Sequence, residues 1–149
     1  MQFRGCRAVL SVILAVMLAG CATRVSPPAS GPGAPAAPAA IERFLQLAVE
    51  RDYVPRGWIF GNAQGPIIRQ HPVGEVEQRM YALAHVLQHD GYVLGNESPV
   101  PGRTGSAVRY RVSMTQGPRT IQVPITVARG PDSRWYVELI DVEAVTNVR

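Results

Sequence analysis

The sequence predicts an α+β domain, in which two or three N-terminal helices pack on a bent antiparallel sheet of about four strands. Three observations predict it: two segments with apolar residues at helical spacing, a change to period-two alternation after Gly91, and turn clusters between the alternating segments. The chain of 149 residues has room for one such domain. We place it at 41–149, after a leader at 1–20 and a linker at 21–40.

The first helical segment, IERFLQLAVERDY, opens the domain. We expect this helix to end near Asp52, because Val54 precedes a proline and is pushed out of the helical region. The apolar residues at helical spacing are Ile41, Phe44, Leu45, Ala48 and Val49. In the GWIFG segment that follows, Trp58 and Phe60 are expected as two apolar anchors in a short helix or turn.

The segment HPVGEVEQRMYALAHVLQHDGY gives the strongest helix prediction. Pro72 suits the first turn, and Gly91 suits the C-terminal cap. Six apolar residues fall within one arc of about 100° and predict a stripe that faces the core. They are Val73, Val76, Met80, Leu83, Ala84 and Leu87.

The chain after Gly91 predicts a short strand, YVLGNES, and three longer ones, AVRYRVSM, RTIQVPITVA and RWYVELIDVEAV. The turn clusters TQGP and RGPDS join the last three as an antiparallel meander. Pro124 removes a ladder donor, so we expect its strand to be an edge or to carry a bulge. The positions expected to face inward are Val108, Tyr110, Val112, Ile121, Val123, Ile125, Val137 and Leu139.

An uncharged apolar run at 8–20 follows Arg4 and Arg7 and has the length of a signal-peptide core. It ends in Leu-Ala-Gly-Cys, with the cysteine at position 21, which resembles the bacterial lipoprotein box. That resemblance implies cleavage before Cys21, a diacylglyceryl thioether on its sulfur and acylation of the new amino terminus. The alternative is an ordinary secretory signal in which Cys21 is incidental.

The residue after the cysteine predicts where such a lipoprotein resides. Ala22 stands where an aspartate would resemble an inner-membrane retention signal, so we expect the outer membrane, periplasmic face. In a cell with one membrane the expectation is the outer face of the plasma membrane. The proline- and alanine-rich linker that follows is expected to stay unfolded and extended, at about 3.1 Å per residue and up to roughly 55 Å in all.

Charge and cysteine content exclude several classes of function. Over 41–149, 12 arginines stand against 11 acidic residues, with no arginine cluster, so we expect no nucleic-acid partner. Cys6 and Cys21, the two cysteines, both precede the domain, so no disulfide staples it and cysteine cannot build a zinc site there. We expect no cofactor.

His85 and His89 are four residues apart on the predicted long helix, which is the spacing of a two-histidine metal site. Helical projection places both opposite the apolar stripe, and no glutamate lies between them. We therefore expect a solvated face and no physiological metal.

FLQLAVERDYVPRGWIFG, the longer helix after it and the strands that close on SRWYVELIDVE resemble the nuclear transport factor 2-like superfamily, a cystatin-like fold. Asp52-Tyr53 at the end of the first helix and Trp135 after a tight turn carry the resemblance. It implies helices over the concave face of a bent sheet, enclosing a conical pocket. A weaker resemblance is to the two-helix, three-strand accessory lipoprotein of the outer-membrane barrel-assembly machine.

The expected pocket residues are Trp58, Phe60, Tyr110, Trp135 and Asp141. Asp141 shares strand parity with Trp135, and a lone carboxylate in an apolar cone would have a raised pKa and act as a base. The alternative is that Asp141 emerges into solvent at the end of its strand.

Three functions remain open at this point. The first is a tethered, non-catalytic domain that binds an envelope protein partner. The second is a carrier of a small apolar ligand in the cone, and the third is a small enzyme that uses Asp141 or Tyr110.

Overall fold

The computed structural model describes residues 26–147, so the predicted leader and Cys21 lie outside the described residues. The elements in chain order are α1 (Ala37–Val49), α2 (Tyr53–Arg56), β1 (Gly61–Asn62), β2 (Gly65–Pro66), α3 (Val73–Val86), β3 (Gly91–Pro99), β4 (Ala107–Gln116), β5 (Arg119–Arg129), β6 (Trp135–Ile140) and α4 (Glu143–Thr146). Short 3-10 turns occupy Ile67–Arg69 and Pro131–Ser133. Within 26–147, no helix has the length and hydropathy needed to cross a membrane.

The protein is α+β, as predicted. Strands β3 to β6 form one antiparallel meander in the order β3-β4-β5-β6, and β1 pairs with β2 in a separate ladder. Helices α1, α2 and α3 precede the four-stranded sheet in the chain, and α4 follows it. The turn between β4 and β5 contains Gly117 at a φ of 57°, a left-handed conformation that glycine adopts at little cost.

One hydrophobic core lies between the sheet and the helices that precede it. It includes side chains from α1, α3 and alternate positions of β4 and β5, all with no exposed surface: Ile41, Phe44, Leu45, Met80, Val112, Met114, Val123 and Ile125. Burying a side chain of this size contributes about 1.5–3 kcal/mol. These residues occupy the inner side of the sheet, where the resemblance places a cone.

Helix α3 is shorter than predicted, but its stripe faces the core as expected. Val76, Met80, Ala84 and Leu87 are buried, and the other two stripe residues are half-buried. The helix ends at Val86, and Gly91, which was predicted to cap it, is instead the first residue of β3.

Helix α1 begins four residues earlier than predicted, and the chain before it also packs on the domain. Ala34, Ala37 and Ala40 are buried. Ala34 donates its N–H to the carbonyl of Trp135 at 2.9 Å, and the N–H of Trp135 bonds back to the Ala34 carbonyl at 2.8 Å. The expectation that the whole linker stays unfolded was wrong from residue 30 onward, because Arg134 bonds its backbone from Ser30 and Ala34 pairs with the edge of β6.

Arg134 holds this N-terminal segment, residues 28–36, which we call the strap. Its Nε donates to the carbonyl of Pro32 at 2.9 Å, and its Nη2 donates to the carbonyls of Ser30 and Gly33 at 2.9 and 2.8 Å. Hydrogen bonds from a charged donor are roughly twice as strong as neutral ones. Arg134 therefore fixes the point at which the chain leaves the domain.

The two edges of the sheet differ. The edge of β6 is covered by an antiparallel bridge to Ala34 and a parallel bridge from Phe60 to Val137. The edge strand β3 is mostly exposed and carries a bulge between Leu94 and Glu97. Bulges and covered edges both discourage pairing with other chains.

Strand β6 corrects one side-chain prediction, that of Leu139. Val127 pairs with Val137 and Thr126 pairs with Leu139, so Glu138 is an extra residue in the ladder. This bulge reverses the alternation, and Leu139 is 59% exposed instead of facing inward. Glu138 pairs with the guanidinium of Arg103.

Pro124 lies in β5, which is a central strand, so the edge prediction was wrong. The bulge that it suggested belongs to β6, not to β5. Pro124 accepts the N–H of Asp141 at 3.0 Å, just past the last ladder pair of Ile125 with Ile140. Pro124 has no N–H to donate. The place where that N–H would be faces the end of β6, where the ladder does not require a donor.

Candidate functional site

Trp58 and Phe60, two of the five predicted pocket residues, lie in or against the core. Trp58 is 5% exposed, and the half-buried ring of Phe60 packs 5.7 Å from the ring of Phe44. Phe60 also contacts the edge of β6 through its bridge to Val137. Both rings therefore help to close the space between the helices and the sheet.

Tyr110 is buried on β4, and its phenol donates to Oε2 of Glu97 at 2.6 Å. The bulge in β3 places Glu97 directly opposite Tyr110. Burial, followed by the hydrogen bond and the charge of Glu97, raises the pKa of Tyr110 to about 12. The phenol keeps its proton at neutral pH and is already bonded to a carboxylate, so it is poorly suited to act as a base.

Trp135 and Asp141 lie at opposite ends of β6, about 20 Å apart along an extended strand. Asp141 is exposed, and its Oδ1 accepts the N–H of Ala144 at 3.3 Å, in the first turn of α4. Tyr110 and Asp141 border a depression of about 550 Å³, whereas Trp58 lines a different pocket. The structure therefore distributes the five residues over core, strand edge and surface.

His85 and His89 were predicted to lie on the same helix, but in the structure they do not. Helix α3 ends at Val86, and Nδ1 of His89 lies 2.8 Å from the carbonyl oxygen of Leu87. The ring of His89 meets the ring of Tyr92 edge-on, with centroids 5.5 Å apart. In the part of the chain from 26 to 147, no three histidine, cysteine, aspartate or glutamate residues are grouped as a metal site.

A groove of about 720 Å³ lies where α1 and α3 end beside the β4–β5 turn. We call it the helix-end groove. The residues that line it are Ala48, Val49, Arg51, Tyr53, Tyr81, Ala84, His85, Val86, Leu87, Gln88, His89, Asp90, Gln116 and Gly117.

The end of α1 places Arg51 at this groove. Asp52 donates its N–H to the carbonyl of Leu47 at 3.1 Å, and Arg51 donates to Ala48 at 3.3 Å, which is the pair of bonds of a Schellman motif. Arg51 has a φ of 56°, in the left-handed position that glycine usually occupies. The Cβ of an L-residue is strained in that conformation, and backbone strain of this kind concentrates at functional sites.

The opposite wall is fixed by hydrogen bonds between the end of α3 and the β4–β5 turn. The Gln116 amide donates to the carbonyl of Val86 at 3.3 Å and also to that of Gln88. The N–H of Gly117 bonds to Oδ2 of Asp90 at 2.7 Å, and the N–H of Asp90 bonds to the carbonyl of Thr115 at 2.8 Å. This wall is preorganised, because the carbonyls of Val86 and Gln88 are already bonded to Gln116.

Two tyrosines and a valine supply the apolar part of the groove. The rings of Tyr53 and Tyr81 meet edge-on, with centroids 5.5 Å apart. Tyr81 is 58% exposed and Val49 is 62% exposed. Val49 was predicted to pack with the other apolar residues of α1. It is the last residue of the helix, however, and lies beyond the edge of the core.

The groove is lined by one aspartate and one arginine, so the formal charges of the two balance. Asp90 accepts the N–H of Gly117 with one carboxylate oxygen, and Arg51 is the cation of the groove. Beside this cation lie exposed aromatic and aliphatic side chains, a combination that is typical of a protein-binding surface.

Sequence reasoning missed Arg51 and Tyr81 as site residues. A signal for Tyr81 was present, because it is an aromatic residue on the polar face of the predicted long helix. For Arg51 there was none, since a Schellman motif without glycine is not visible in the sequence. Comparisons with protein-family models, curated proteins and solved structures found no match to this chain.

Proposed function

We propose that this chain is a lipid-anchored cell-envelope protein whose domain binds a partner protein through the helix-end groove and performs no catalysis. The observation that carries the proposal is the groove itself: exposed Tyr81 and Val49 lie beside a strained Arg51, on walls held by hydrogen bonds. Exposed apolar groups that cluster on a rigid concave surface are typical of interaction sites.

The occupant we propose is an extended segment of a partner protein with one apolar side chain and one acidic side chain. The apolar side chain would pack against Tyr81 and Val49, and the acidic one would pair with Arg51. Aromatic and arginine residues dominate the binding energy of such surfaces, and a bidentate arginine–carboxylate pair adds direction.

The anchor is the predicted thioether at Cys21, and the proposed location is the periplasmic face of the outer membrane. The alternative for a cell with one membrane is the outer face of the plasma membrane. Because Arg134 holds the strap from Ser30, the described part of the linker is bound to the domain from that residue onward.

The fold we propose in finer detail is the bent sheet of the nuclear transport factor 2-like superfamily, with the first three helices against its concave face. The order of helices followed by a four-stranded meander supports this proposal. The inner side of the sheet is occupied by core side chains, which favours partner binding at the surface over a carrier with an open cone.

Photo-cross-linking in intact cells tests the proposal. A photoreactive amino acid at Tyr81 is expected to give one discrete protein adduct, which Arg51→Glu should abolish by reversing the charge. The matched control is the same photoreactive residue at Val93, which is 68% exposed and lies outside the groove. Adducts of equal yield at both positions, or none at Tyr81, would contradict the proposal.

A further inference from the structure

A small pocket lies beneath the strap, apart from the helix-end groove. It measures about 180 Å³ and is bounded by the strap, by one side of α1 and by the segment from Pro55 to Ile59. Ala39, Leu47 and Pro55 contribute apolar surface to it. Its volume corresponds to about six groups of water or methylene size, at roughly 30 Å³ each.

The indole of Trp58 lines this pocket and is short of a hydrogen bond. Its Nε1 is buried, and the residues that the structure describes provide no acceptor for it. The guanidinium of Arg69 lies over the indole ring at 5.2 Å, so it supplies charge but no acceptor. Because this nitrogen has almost no accessible surface, a ligand in the pocket cannot reach it, and the indole contributes apolar surface only.

Two arginines also line this mainly apolar pocket. Arg43 belongs to α1 and is half-buried, and Arg134 is the residue that holds the strap. None of the pocket's lining residues within 26–147 is acidic. Two guanidinium groups without an acidic neighbour favour an anion at the rim.

We infer that this pocket binds a small aliphatic carboxylate of about six carbons. The alkyl chain would lie against Ala39, Leu47 and Pro55, and the carboxylate would pair with Arg43. This inference rests neither on the helix-end groove nor on the lipid anchor.

Isothermal titration calorimetry with hexanoate tests it, using the secreted chain that carries Cys21→Ser and so has no thiol for a lipid. We expect one site, with hexanoate bound at least fivefold more tightly than hexanol and at least tenfold more tightly than acetate. Each buried methylene contributes about 0.8 kcal/mol, so four fewer methylenes should exceed a tenfold loss.

Two variants localise the binding. Ala39→Leu should fill the pocket and abolish it, while Arg43→Gln should weaken hexanoate at least fivefold and leave hexanol unchanged. Arg79→Gln, an exposed arginine of α3 outside the pocket, is the matched control and should change nothing. If Ala39→Leu perturbs the fold, Arg43→Gln still decides the question.

Absence of hexanoate binding would overturn the inference. So would hexanol that binds as tightly as hexanoate, or hexanoate binding that survives both variants in folded protein.

Discussion

The Nη1 of Arg56 donates to the backbone carbonyl of Met80 at 2.7 Å from a side chain with no exposed surface. The guanidinium lies 4.1 Å over the ring of Phe44, and among residues 26–147 its Nε and Nη2 have no partner. Burial lowers the pKa of Arg56 to about 10. The core therefore contains a cation that is only partly satisfied.

Replacing Arg56 with a hydrophobic residue of similar length is expected to stabilise the protein. Arg56→Met removes a buried charge and two unpaired nitrogen atoms, and should raise the free energy of unfolding by about 1–3 kcal/mol. Arg56→Ala should instead lower it by about 2–4 kcal/mol, because it leaves a cavity. Urea denaturation of both variants measures the difference, and a clear loss of stability in Arg56→Met would show that the cation stabilises the core.

The advantage of Arg56→Met should depend on pH. Burial holds the folded pKa of Arg56 at about 10, below its ordinary value, so between these two pKa values the unfolded chain binds the extra proton. Stability of the wild type relative to the variant therefore rises as pH rises above 10. Denaturation at pH values on either side of 10 checks this. A difference in the free energy of unfolding between Arg56→Met and the wild type that widens as pH rises would contradict the prediction.

Tyr110 should ionise well above the ordinary pKa of a tyrosine. Its pKa is raised to about 12, so its contribution to stability is fully present below the ordinary value of 10.0 and is lost as pH rises through the folded value. Absorbance of tyrosinate during an alkaline titration should show a last phase near pH 12 that Tyr110→Phe removes. Glu97→Gln should move that phase to lower pH, and a phase that stays in place would exclude Glu97 as a cause.

Arg51→Gly should stabilise the end of α1. Glycine adopts the left-handed conformation with little strain, and the gain in the free energy of unfolding should be about 0.5–1 kcal/mol. Arg51→Ala keeps the strained backbone and serves as the control, so its stability should stay near that of the wild type. Equal gains in both variants would assign the effect to the arginine side chain instead of to its backbone.

Cys21→Ser should release the protein from membranes. Without a thiol the chain cannot take the diacylglyceryl group, and two acyl chains are what hold such a protein stably. Fractionation of cells that express each form, with mass spectrometry of the amino terminus, measures the change. Membrane attachment that persists in Cys21→Ser would contradict the lipid anchor.

The α+β class and the central strands were predictable, because period-two alternation in β4 and β5 reports directly on which side chains are buried. Helix α3 was predictable for the same reason. The bulge at Glu138 was not, since one inserted residue in a strand that is apolar on both faces leaves the sequence pattern unchanged. That single residue accounts for the wrong placement of Leu139.

The strap and the groove depend on contacts between distant parts of the chain. Ala34 looks like part of a proline-rich linker until it pairs with Trp135, about a hundred residues later. Asp141 was expected beside Trp135 because of strand parity, but strand length separates the two. Local patterns report which face of an element is buried, whereas these features depend on where elements meet.

The binding affinity between this chain and the partner segment recovered from the Tyr81 adduct tests the central claim most directly. We predict that Tyr81→Ser weakens binding at least tenfold, about 1.4 kcal/mol, whereas the exposed control Val93→Ser leaves it unchanged. Equal losses in the two variants, or no loss in Tyr81→Ser, would show that the helix-end groove is not the binding surface.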